Sequence, residues 1–217
     1  MKQVRLTLFA IVGMVLLFGA MPAEAAKKKG KKSQVHVQTI GVSSMDQVFR
    51  KARKLDTRIT TAERSRTTGK ANFRTSLGLT KQGSLQQAIN VFKDRAAGQA
   101  QIALNGGKPK LDLKSGFPAD LKISADALDN ALIDYTASLE NTLKAPVEAA
   151  RLIRKAKAFP TDIKGDLLTN PLQAVTILKN LKTTKNNISI MSSLPKRSRN
   201  VAKGLTQDIN LVMQALK

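Results

Sequence analysis

The feature that most constrains this chain is a regular spacing of apolar residues that begins at Ser44 and runs to the C-terminus. In the first run, the apolar residues follow one another at intervals of three and four, which places them on one stripe of an α-helix. Comparable runs recur along the rest of the chain. The sequence therefore predicts an all-α fold, an up-and-down bundle of four or five long amphipathic helices. The stripe of the first run consists of Met45, Val48, Ala52, Leu55, Ile59 and Ala62.

Glycine, proline and capping residues predict where these helices begin and end. Ser44, Ser84 and Ser124 are suitable N-caps, and Asn170-Pro171 is a strong helix start. The fourth run is expected to turn Leu172, Val175, Leu178, Leu181 and Ile188 toward the interior. The predicted helix ends are Gly69, Asn105-Gly106-Gly107, Phe159-Pro160 and Leu194-Pro195.

Two further segments are interpreted from the same signals. Pro146 interrupts the third run, so that the helix either kinks near Ala145 or splits there; a kink is favoured because the stripe crosses the proline in phase. Residues 105–123 are glycine- and proline-rich and are expected to be an irregular connection lying over the bundle. No stretch shows the alternation or the hairpin turns of a sheet, so no strand is expected.

The N-terminus has the pattern of an export signal. Lys2 and Arg5 precede an apolar run of 15 residues, Leu6 to Ala20, and Ala23-Glu24-Ala25 then matches the site that a signal peptidase cleaves. The alternative is an uncleaved membrane anchor, but 15 helical residues span only about 22 Å of a hydrocarbon core of about 30 Å. We therefore expect residues 1–25 to be a signal peptide and the protein to be secreted or periplasmic after cleavage near Ala25-Ala26.

The mature chain is predicted to contain a tail and one domain. Residues 26–43 are read as a flexible basic tail, with Val35, Val37 and Ile40 available to dock against the domain, and residues 44–217 as the helical domain. The chain has no cysteine. The domain must therefore be held by packing alone, without disulfides, and metal–thiolate sites and cysteine nucleophiles are excluded.

Most catalytic chemistry is also disfavoured by composition. The single histidine, His36, lies in the predicted tail, which excludes multi-histidine metal sites and the usual base of a serine nucleophile. There is no glycine-rich phosphate loop. The sequence thus predicts a protein that is not an enzyme and that needs no cofactor and no metal.

Positive charge is the strongest functional signal. The net charge is +22, well above the magnitude of about 2 to 8 that solubility needs. It is concentrated in residues 27–32, 50–74 and 179–203, whereas residues 124–148 are net acidic. The candidate anion-binding residues are Lys27, Lys28, Lys29, Lys31 and Lys32 of the tail, Arg50, Lys51, Arg53, Lys54 and Arg58 of the first helix, and Lys196, Arg197 and Arg199.

The low aromatic content of the chain narrows the kind of anionic partner that is expected. With 7 phenylalanines, 1 tyrosine and no tryptophan, the chain has few platforms for stacking bases. The predicted function is binding of an anionic polymer, an anionic membrane surface or an acidic protein of the cell envelope or extracellular space, without sequence-specific recognition of nucleic acid. The alternative is a bundle that binds an acyl ligand or a partner helix in its apolar interior, with the charge serving only solubility.

Overall fold

The computed structural model describes residues 37–169 and 171–217, apart from the side chains of 160–169, 171, 173, 174 and 177. The chain is mostly helical, at 76%, with one small two-stranded sheet, so the all-α prediction holds in its broad form. The elements are α1 (Ser43–Ser76), α2 (Leu85–Ala96), β1 (Ala100–Asn105), β2 (Lys108–Leu113), a 3-10 turn (Ala119–Leu121), α3 (Lys122–Leu143), α4 (Ala145–Thr169), α5 (Pro171–Lys179) and α6 (Leu181–Ala215).

The described residues divide into two compact units. The first unit comprises residues 60–142 and 200–217, and the second unit comprises residues 37–59 and 143–199. Helices α1 and α6 each contribute residues to both units.

The apolar stripe predicted for α1 is confirmed, since all six of its residues are buried. The helix does not stop at Gly69, however, and continues to Ser76. A β-carbon at Gly69 would lie 3.0 Å from the ring of Tyr135 and 3.1 Å from the side chain of Ala131. This glycine therefore permits close packing between α1 and α3 instead of ending the helix.

The prediction that the chain forms no strand is wrong, because residues 100–113 form an antiparallel hairpin. Asn105 pairs with Lys108 across Gly106 and Gly107, whose φ angles of 56° and 81° suit the two-residue turn that matches the twist of a hairpin. Helix α2 ends earlier than expected, at Ala96. Asn105-Gly106-Gly107 is thus the turn of a hairpin and not the end of a helix.

The hairpin is fixed to the first unit through backbone hydrogen bonds. The Ile102 N–H donates to the Leu216 carbonyl at 2.8 Å, and the Leu111 N–H donates to the Asp129 carboxylate at 2.8 Å. On β2, Pro109 and Leu111 are buried and alternate with exposed Lys108 and Lys110. Residues that sequence reasoning assigned to an irregular connection therefore complete the core of this unit.

The effect of the prolines on the helices differs from what the sequence suggests. Helix α3 ends at Leu143 and α4 begins at Ala145, so the third run splits, and the favoured kink is wrong. Pro146 lies in the first turn of α4, where its missing N–H costs no hydrogen bond. Pro195 lies inside α6, although an interior proline costs about 3 kcal/mol.

The continuity of α6 through Pro195 has a packing explanation. Met191 and Leu194 before Pro195, and Ala202 after it, are buried, so apolar packing on both sides offsets the lost hydrogen bond. Helix α4 likewise runs from Ala145 to Thr169, through Phe159-Pro160. The predicted helix ends at these two prolines are therefore wrong.

The core of the second unit includes part of the predicted tail. Val37, Ile40 and Val42 are buried against Phe49 of α1, Phe159 of α4 and Met191 of α6. The Asn187 side chain pairs with the backbone of Gln38, accepting from its N–H at 3.0 Å and donating to its carbonyl at 2.7 Å. The expected docking of Val37 and Ile40 is confirmed, whereas Val35 lies outside the described residues.

The stripe predicted for the fourth run does not face an interior. Four of its residues are exposed, and only Ile188 packs against the core of the second unit. Three-four spacing identifies an apolar stripe but does not determine what the stripe contacts. The exposed residues are Leu172, Val175, Leu178 and Leu181.

Candidate anion-binding groove

The candidate site is a groove on the second unit between α1 and α4. On α1, Lys51, Lys54 and Arg58 lie at intervals of three and four, which places them on one face of the helix. On α4, Arg151 and Lys155 are four residues apart and share a face in the same way. The two helices thus bring five basic side chains to one groove of about 700 Å³.

The floor of this groove is apolar. Leu55 is only 2% exposed, and Val48 and Phe159 are also buried. Phe159 packs edge-on against Phe49, with ring centroids 6.3 Å apart. The described residues of the lining are Ser44, Gln47, Val48, Lys51, Lys54, Leu55, Arg58, Glu148, Arg151, Leu152, Lys155, Ala158 and Phe159.

The charge of the groove is only partly neutralised. Arg58 donates to Glu148 at 2.9 Å, and both side chains are about 40% exposed (40% and 43%), so this pair contributes at most about 1 kcal/mol. The other four cations, Lys51, Lys54, Arg151 and Lys155, are exposed, and among the described side chains no carboxylate lies within ion-pair distance of them. Five cations against one anion leave the described part of the lining strongly positive.

The sequence-predicted residues are divided between this groove and other surfaces. Lys51, Lys54 and Arg58 line the groove, whereas Arg50 and Arg53 are exposed on α1 outside its lining. Lys27, Lys28, Lys29, Lys31 and Lys32 lie outside the described residues.

The predicted residues of α6 lie in different surroundings. Lys196 and Arg199 are exposed, and none of the three lines the groove. Arg197 donates to Asp56 at 2.6 Å, and the Asp56 side chain is only 7% exposed. Arg197 therefore supports the packing of α6 on α1.

Sequence reasoning missed Arg151 and Lys155. Both belong to a basic segment, residues 151–157, that could have been noticed. Their proximity to Lys51 and Lys54 comes from the packing of α4 on α1, which local spacing does not specify.

A second charged group lies in the first unit and is structural. Arg66 donates to Asp208 through Nε at 2.6 Å and Nη2 at 3.1 Å, and the Tyr135 hydroxyl donates to the Arg66 carbonyl at 3.0 Å. The hydrogen bond to Asp208 raises the pKa of Arg66. Burial raises the pKa of Tyr135, and the negative charge of Asp208 adds to the effect.

Replacement of Tyr135 by phenylalanine is expected to remove part of the alkaline sensitivity of the fold. The folded state keeps the phenol protonated above pH ~10, where the unfolded chain loses this proton, so this contribution to stability is present below pH ~10 and is lost as the pH rises. The difference in unfolding free energy between the wild type and Tyr135→Phe should shrink by up to about 1.4 kcal/mol per pH unit. Urea unfolding at pH ~9 and ~11, followed by circular dichroism, measures this difference. An equal loss of unfolding free energy in both proteins between these pH values would contradict the prediction.

Other classes of site receive no support from the described residues. Within residues 37–217, excluding the undescribed positions, no group of three or more histidine, cysteine, aspartate or glutamate residues could hold a metal ion. Among the helices of this same part of the chain, none has the length and apolar character needed to cross a membrane.

Comparison with known proteins gives no further guide to function. The chain matches no protein-family model, no characterised protein and no solved structure.

Proposed function

We propose that this protein is an exported, non-catalytic binding protein that holds an anionic partner in the groove between α1 and α4. The observation that carries the proposal is the set of four exposed cations without ion-pair partners among the described side chains, Lys51, Lys54, Arg151 and Lys155. Four like charges on adjacent helix faces repel one another, so an anion that binds among them relieves this repulsion.

The proposal retains the other parts of the sequence interpretation. Residues 1–25 direct export, and the up-and-down arrangement of helices presents the basic faces. The lysines of residues 27–32 provide a second contact with the anionic partner. No catalytic step is included, since Glu148, the one carboxylate among the described residues of the lining, is paired with Arg58.

The test replaces the four cations together by glutamine and measures binding of a single-stranded thymidine oligonucleotide, used as a phosphodiester probe, at ~50 and ~200 mM salt. We expect an affinity about 1,000-fold lower at ~50 mM and about 15-fold lower at ~200 mM. Each lost phosphate contact reduces the slope of log affinity against log salt by about 0.7, so the slope should fall by about 3.

A matched control removes the same charge elsewhere. Lys81, Lys93, Lys110 and Lys203 are exposed residues of the first unit, and their replacement by glutamine should change the affinity less than about threefold. A variant with glutamine at the five tail lysines measures the contribution of the tail. Equal losses in the groove variant and the control would show that only net charge matters and would refute the site.

A further inference from the structure

The lining of the groove between α1 and α4 indicates more about its ligand than a negative charge. Apolar residues from both helices form its floor, Val48 and Leu55 from α1 and Leu152, Ala158 and Phe159 from α4. An extended polyanion needs a line of cations but no apolar floor, because its charges lie on its outside. The floor therefore indicates that the ligand also has an apolar part.

The basic residues surround this floor from two sides. Lys51 and Lys54 lie on α1, and Arg151 and Lys155 lie on α4, so that a ligand resting on the floor meets cations from both helices. The stems of lysine and arginine are themselves apolar and extend the floor toward the rim. A molecule with a hydrocarbon chain and an anionic head group matches both parts of the lining.

The size of the groove is consistent with a small molecule. Its volume of about 700 Å³ falls within the range of about 300 to 1,000 Å³ that is typical of small-molecule sites. Among the lining residues that the structure describes, Phe159 is the only aromatic one, and it packs edge-on against Phe49. The lining thus offers few aromatic surfaces on which bases or sugar rings could stack.

We propose that the groove takes a single-chain anionic amphiphile, whose hydrocarbon chain lies on the apolar floor and whose phosphate or carboxylate binds the cations of the rim. This inference rests on the proposed function, because it identifies the ligand of the same groove.

The test compares n-butyl phosphate with n-octyl phosphate, both below micelle-forming concentrations, by calorimetric titration of the full chain. A fully buried methylene contributes about fourfold in affinity and a half-covered one about twofold. The octyl compound should therefore bind about 16-fold more tightly than the butyl compound. The quadruple glutamine variant should weaken binding of both by about tenfold.

A variant of the floor tests the contribution of the hydrocarbon chain to affinity separately from that of the head group. Ala158 is exposed in the groove, and Ala158→Gln places a polar side chain there in a residue that helices accept readily. The octyl-to-butyl ratio should fall below about fivefold, because the polar side chain obstructs more of the longer hydrocarbon chain than of the shorter one. Ala137→Gln, at an exposed position of α3 in the first unit, is the matched control and should keep the full ratio.

The outcomes distinguish this inference from the proposed function. Equal affinities for butyl and octyl phosphate would overturn the inference that the ligand is an amphiphile. Loss of oligonucleotide binding in the quadruple variant would still support the proposed anion binding. If octyl phosphate kept its full advantage in affinity over butyl phosphate in both groove variants, its hydrocarbon chain would bind outside the groove, and the inference would be overturned. Groove-dependent binding of vesicles of phosphatidylglycerol and phosphatidylcholine without binding of the monomers would also overturn it, since the groove would then receive head groups from a bilayer.

Discussion

Replacement of Phe92 by alanine is expected to lower the unfolding free energy of the first unit by about 3 to 5 kcal/mol. Phe92 is fully buried in α2, and its ring contacts Phe73 of α1 at a centroid distance of 5.7 Å and Phe117 at 6.2 Å. Truncation removes these contacts and leaves a cavity between α1 and α2 that rigid helices cannot fill.

The measurement can be made specific to this unit. Tyr135 is the only tyrosine, there is no tryptophan, and Tyr135 is buried in the first unit, so its fluorescence follows denaturant unfolding there. Phe92→Leu is the control and should cost less than about 1.5 kcal/mol, because it keeps most of the volume. A loss below about 1 kcal/mol in the alanine variant would show that Phe92 does not organise this core.

The buried residues of several helices could be predicted from the sequence because helical spacing is a local property. Leu128, Leu132 and Tyr135 of α3 follow this spacing and are buried, as are the residues spaced in the same way from Ala202 of α6 to Leu216, just after that helix. The basic residues that miss these stripes lie outside the core for the same reason. Lys51, Lys54 and Arg58 miss the stripe of α1, and all three line the groove.

The errors arose where packing between distant segments outweighs a local signal. Pro195 is a helix breaker in isolation, but it lies between buried residues of α6, whose packing offsets its cost. Ala100 and Ala103 continue the helical spacing of α2, yet both lie in β1, because the Asn105-Gly106-Gly107 turn and the hydrogen bond to Leu216 favour a strand. Helix propensity over so few residues amounts to only tenths of a kcal/mol per position.

The groove was only half predictable for a related reason. Its α1 side follows from one helix, whereas its α4 side requires knowledge of which face of α4 packs on α1. Arg197 illustrates the reverse case. A basic cluster in the sequence indicates an exposed face, but this arginine is paired with a carboxylate that the sequence places 141 residues away.

Replacement of Arg197 by glutamine should therefore affect stability more than anion binding. Arg197 keeps about a third of its side chain exposed, at 32%, while Asp56 is buried, so the loss should be about 2 kcal/mol, below the ~3 to 5 kcal/mol of a fully buried pair. Urea unfolding followed by circular dichroism measures this loss without the ionic screening that guanidinium would add.

Lys196→Gln is the matched control for this prediction, because it removes the same charge from the neighbouring, exposed position of α6 and should change stability by less than about 0.5 kcal/mol. In the double variant with Asp56→Asn, the effects should be non-additive, since the pair is then lost only once. If Arg197→Gln instead left stability unchanged and weakened oligonucleotide binding about tenfold, the ion pair with Asp56 would be dispensable. The anion-binding surface would then have to be extended from the groove to α6.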